Sequence, residues 1–107
     1  MNRFKSPAEV EEMSIPLINK TIQDYADAAG RCKDSGFKMV MIHGAHGMLP
    51  SQFLSPYVNK RVERYGGSFE NRARFCIELL EAVRSRSRVY EKSGSRKRRR
   101  YTSMCAL

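Results

Sequence analysis

His43 and His46 are the chain's only two histidines, and the residues around them, Gly44, Ala45 and Gly47, are small. A neutral imidazole offers one N–H donor. Two such donors aimed at one point can hold a carbonyl or phenolate oxygen and stabilise negative charge that develops there. The small residues leave room for a flat ligand. On spacing alone, other readings stand beside this one. Two structural histidines bonded to backbone is the plainest, and spacing ranks it first. His-x-x-His can also supply two zinc ligands, but no third ligand is in register and the Glu of a His-Glu-x-x-His helix is missing. The glycines could cradle a phosphate, yet neither GxGxxG nor P-loop spacing is present. The three cysteines, Cys32, Cys76 and Cys105, are odd in number and widely spaced, which fits neither a disulfide framework nor a CxxC metal site. Cys76 falls in an apolar helical stripe and reads as a buried thiol.

The elements around this pair read as helix, strand, long loop, helix. Ser14 can cap a helix with Pro16 in its first turn. Apolar residues then recur in steps of three and four at Ile18, Ile22, Tyr25, Ala26, Ala29 and Cys32. Gly36 supplies a left-handed stop. A capping box at residues 6–9 would start only a short helix before it. Residues 37–42 are short, mostly consecutive in apolarity and followed by Gly44, which favours a strand buried on both faces, as in parallel sheets. The histidines therefore sit at a strand's C-terminal end, where parallel α/β folds bind ligands. Residues 43–68 form a long loop, and long ordered loops are commonly functional. A second helix begins after Ser68, with Phe69, Ala73, Cys76, Leu80 and Val83 as its stripe.

The chain has 107 residues and a formal charge of +9, unevenly placed. Residues 1–82 carry 11 Lys+Arg against 10 Asp+Glu, whereas residues 83–107 carry nine against one. The basicity therefore describes a tail and not the body. Beyond Arg84 apolar periodicity stops, and so charged a segment is expected to be disordered. A nucleic-acid role resting on the five basic residues 96–100 has only Tyr90 and Tyr101 as stacking platforms and is disfavoured. The longest purely apolar run has four residues, so no membrane span is expected. With no apolar leader near the N-terminus, the expected location is the cytoplasm.

Several spaced motifs then occur in one order. His43-Gly44-Ala45-His46-Gly47-Met48-Leu49 leads into Gln52-Phe53-Leu54-Ser55-Pro56, Asn59-Lys60-Arg61, Tyr65-Gly66-Gly67-Ser68 and Glu70-Asn71-Arg72-Ala73-Arg74-Phe75. Over residues 14–83 this resembles the old yellow enzyme family of NADH:flavin oxidoreductases, with its 2,4-dienoyl-CoA reductase-like and bile-acid-type members. The resemblance implies a (β/α)₈ barrel, FMN at the mouth of its strands, and NADH or NADPH as reductant. It further implies that hydride passes to an electron-poor alkene or related carbonyl-conjugated acceptor, a small electrophile. His43 and His46 match the family pair that grips the acceptor's oxygen. Met48 stands where the family often has a proton-donating Tyr. No flavin-binding residue is assigned, and no metal. The cysteines that hold an iron–sulfur cluster in some relatives are not here.

The fold class expected is thus α/β, a fragment of a (β/α)₈ barrel with a disordered basic tail. Residues 1–13 form an N-terminal segment, 14–83 the partial barrel, and 84–107 a low-complexity tail that is either disordered or a frame-shifted reading. A complete barrel needs roughly 200 residues or more. The chain alone is therefore expected to be inactive and weakly folded, its single strand lacking a partner. The alternative function is a non-catalytic truncated product, or a binder of nucleic acid or acidic surfaces through the tail.

Overall fold

The computed structural model describes residues 11–89 and 102–106. The capping box at residues 6–9, the basic run 96–100 and both Tyr90 and Tyr101 lie outside the described residues.

Ser14 begins α1 (Ile15–Asp34) as the sequence predicts. Its Oγ accepts the Leu17 N–H at 3.3 Å, and Pro16 occupies the first turn. The helix stops with Arg31 and Lys33 in its last turn, favourable to the dipole, and Gly36 turns the chain at φ 92°. Its stripe of Ile18, Ile22, Ala26 and Ala29 is buried. The strand β1 (Met39–His43) follows, then a short helix α2 (Leu49–Leu54) inside the expected loop, then α3 (Phe69–Val89). Ser68 caps α3, its Oγ accepting the Asn71 N–H at 3.2 Å. The last described element is β2 (Thr102–Ala106), which pairs in parallel with β1 from Met39 opposite Thr102 to His43 opposite Ala106.

The core lies between α1, α3 and one face of β1. Ile18, Ile22, Ala29, Ile42, Phe53, Tyr65, Phe75, Leu79 and Val83 form one buried cluster, with Val40 packed against it. Phe53 and Phe75 stack with ring centroids 4.3 Å apart, and Phe53 meets Tyr65 edge-on at 6.0 Å. Cys76 is buried, as its place in the stripe predicts.

Three expectations are corrected. First, β1 is covered on one face only. Met39 and Met41 alternate with Val40 and Ile42, and remain 49% and 60% exposed. Consecutive apolar residues mark both faces of a strand, but the described helices cover only one. Second, β1 is not alone, because β2 takes up its backbone groups along one edge. Third, the stretch after Val83 is ordered as far as Val89 and again over Thr102–Ala106. The reason lies in side chains that a hydropathy pattern counts as polar. Ser87 follows Leu79 and Val83 by steps of four on the buried face and donates its hydroxyl to the Val83 carbonyl at 2.9 Å. Lys33 of α1 donates to the Ser87 carbonyl. Arg86 lies against Gly30, with its Nε 3.5 Å from Asp27. No helix among the described residues is long and apolar enough to cross a membrane.

Candidate functional site

His43 is the last residue of β1, and His46 follows in a tight turn. The Met48 N–H donates to the Ala45 carbonyl at 3.0 Å, closing residues 45–48. Both central residues are left-handed, His46 at φ 52° and Gly47 at φ 76°, the pattern of a type I′ turn. The turn carries the second imidazole back beside the first. The ring centroids are 5.2 Å apart and the planes inclined at 64°. Both side chains are exposed. The structure therefore brings together the two residues that the sequence singles out. Strand alternation puts Met39, Met41 and His43 on one face, so an imidazole ends an open apolar strip. Met48 is half-exposed and precedes α2, making no side-chain capping bond.

The other motif residues build the support for this corner. The α2 helix has six residues, too few to persist unaided. At its start, Ser51 Oγ donates to the Met48 carbonyl at 2.8 Å and Gln52 Nε2 to the Gly47 carbonyl at 2.6 Å. At its end, Asn59 Nδ2 donates to the Phe53 carbonyl at 2.7 Å and Arg72 Nε to the Leu54 carbonyl at 3.0 Å. Buried Asn59 also donates to the Tyr65 carbonyl at 2.8 Å and accepts the Arg61 N–H at 3.0 Å. Arg61 pairs with Glu63 and Glu12 and donates to the Met13 carbonyl at 2.8 Å, tying the loop to the residues before α1.

Tyr65 is fully buried, and its hydroxyl donates to Glu78 Oε2 at 2.6 Å, while Arg64 holds the other Glu78 oxygen at 2.5 Å. Burial first, then the bond to Glu78 and its charge, push the phenol up to about 12, against the opposing pull of Arg64 and Arg74. It is a packed aromatic and not an acid for chemistry near neutral pH. Arg72 and Arg74 bond carbonyl oxygens and not carboxylates. Arg72 bonds the Leu54 and Gly67 carbonyls, and Arg74 bonds the Arg64 carbonyl and Asn71 Oδ1. A guanidinium fork suits several acceptors at once, and the Leu54, Arg64 and Gly67 carbonyls lie within its reach.

A cleft of about 260 Å³ opens between residues 11–13, α2 and residues 58–61. Neither histidine lines it. Gln52, Asn59, Lys60 and Arg61 in its wall already bond to protein groups. Among the described residues no three His, Cys, Asp or Glu cluster as a metal site.

Comparison with known proteins places this corner in a wider setting. Residues 2–91 match the family described as NADH:flavin oxidoreductase / NADH oxidase. The chain belongs to that family. It is 51% identical over 73 residues to dimethylamine dehydrogenase of Hyphomicrobium sp. (strain x), covering 68% of this chain and 10% of the relative. It is 49% identical over 80 residues to an NADPH dehydrogenase of Bacillus velezensis, covering 75% and 23%. Among solved structures, it superposes on morphinone reductase with a TM-score of 0.70 at 43% identity, covering 72% of this chain and 21% of that one. Old Yellow Enzyme from Pichia sp. AKU4542 gives 0.71 at 42% identity, covering 74% and 21%. The chain thus spans between a tenth and a quarter of the length of these relatives. Within the shared segment, hydropathy patterning missed the part played by Gln52. Its signal in the sequence was its place at the head of the Gln52-Phe53-Leu54-Ser55-Pro56 motif.

Proposed function

We propose that this segment supplies the acceptor-binding corner of an FMN-dependent oxidoreductase, with His43 and His46 holding the acceptor's carbonyl or related oxygen. The observation that carries the reading is the pair of exposed imidazoles, 5.2 Å apart at the C-terminal end of β1, in a chain of the flavin oxidoreductase family. The residues fit a flat cofactor to the extent that Met39, Met41 and His43 offer an open apolar strip ending in a donor; no residue of this segment is assigned to FMN itself. FMN, when bound, would supply the hydride it takes from NADH or NADPH. The chain's own residues do the rest. Two N–H donors polarise the acceptor's C=O and stabilise the charge that reaches its oxygen as the β-carbon is reduced. Met48 has no proton to give, so the α-carbon of an activated alkene takes its proton from water or from a group outside this segment.

The NADPH dehydrogenase of Bacillus velezensis offers a host for the test, with its matching 80 residues replaced by those of this chain. The chimaera is expected to load FMN and to be reduced by NADPH. His43→Ala or His46→Ala should then slow acceptor reduction about 10²–10³-fold, leaving reduction by NADPH unchanged. A flavin-loaded chimaera whose acceptor reduction is indifferent to both substitutions would sink the reading.

A further inference from the structure

We infer that Gln52 is the positioning residue for His46. The inference goes beyond the acceptor-binding reading and rests on it only for what the second imidazole does, not for how the ring is held. His46 adopts φ 52°, a conformation that its Cβ disfavours and that only Gly adopts freely. Such a turn persists when neighbouring structure over-determines it, and here α2 does so through one residue. Gln52 takes hold of two successive carbonyls. Its backbone N–H donates to the Met48 carbonyl at 3.1 Å, and its side-chain Nε2 to the Gly47 carbonyl at 2.6 Å. The second bond is out of the ordinary for a helix, because it reaches back past the cap to the carbonyl immediately after His46 and Gly47, the two left-handed residues. Gln52 is itself anchored by its neighbour Phe53, buried and stacked on Phe75 of α3. The path from core to imidazole is therefore Phe75, Phe53, Gln52, the Gly47 carbonyl and His46. Ser51 supports the same corner, but from Met48 onward and outside the left-handed pair.

The test is proton NMR on the chain itself, whose two histidines and two glutamines make the relevant signals few. Wild-type protein is expected to show a nuclear Overhauser effect between the His43 and His46 rings. It should also show slowed solvent exchange of one Gln52 carboxamide proton. Gln52→Met keeps the side chain's length and removes its donors. In that variant the inter-ring effect should disappear, while the effect between the Phe53 and Phe75 rings stays. A merely structural Gln52 would move the second signal and not the first alone. Persistence of the inter-ring effect in Gln52→Met overturns the inference. So does a Gln52 carboxamide that exchanges at the rate of free glutamine in the wild type, a measurement that stands even if the variant does not fold. Neither experiment needs flavin or acceptor, so the outcome is separate from that of the chimaera.

Discussion

Asn59 shows how much of this corner depends on single polar groups. It is buried and bonds to two carbonyls and one N–H, joining the end of α2 to Arg61 and Tyr65. Asn59→Leu would leave those three backbone groups without their partner. A loss of about 2–4 kcal/mol is expected, measurable by urea denaturation. Tyr65 gives a second prediction, in pH. Its folded phenol lies near 12, above the value of about 10 in an unfolded chain. The unfolded state therefore releases the proton first, and stability contributed by Tyr65 is complete below pH 10 and lost as pH rises towards 12. Denaturation midpoints in that interval should fall for the wild type and flatten for Tyr65→Phe. Sequence singled out the histidines. It missed that Arg72 and Arg74 bond carbonyls, because which acceptors come within reach is settled by how the loop folds over α3.

At the scale of elements, adjacent glycines differ in why they are glycines. A Cβ at Gly66 would lie 2.2 Å from the Arg61 carbonyl oxygen, whereas Gly67 has open space but φ 87°. Gly66→Ala must push backbone aside, and overpacking of this kind costs about 1–3 kcal/mol. Gly67→Asn meets only a conformational preference that Asn partly tolerates, and should be the milder change. Thermal unfolding of the two variants compares them directly; equal losses would mean that the loop relaxes around a side chain at 66. The helix α1 was legible from Ser14 to Gly36 because capping, period and stop all agree locally. The helix α2 was not. Its six residues carry too short a stretch for periodicity, and bonds from Asn59 and Arg72 hold its end.

For the molecule as a whole, the decisive contact is the parallel pairing of β1 with β2 across α2 and α3. A single strand with its backbone groups unpaired is not stable, and β2 supplies what β1 needs along one edge. Removing residues 90–107 should therefore speed amide hydrogen exchange in Met39–His43. Unchanged exchange in the truncated chain would show that the pairing does not hold in solution. The exposed Met39 and Met41 face is continuous with His43, which gives the proposed acceptor an apolar approach to the imidazoles.

The sequence by itself determined the family, the α1–β1–α3 order and the two histidines, because each is written in local signals: caps, periods, and motifs in fixed order. Tertiary structure alone decided that one face of β1 stays open, that α3 runs on to Val89 under Ser87, and that a strand beyond the basic run closes against β1. Those outcomes turn on which distant groups meet, such as Lys33 with the Ser87 carbonyl, and no pattern along the chain records a meeting across more than fifty residues.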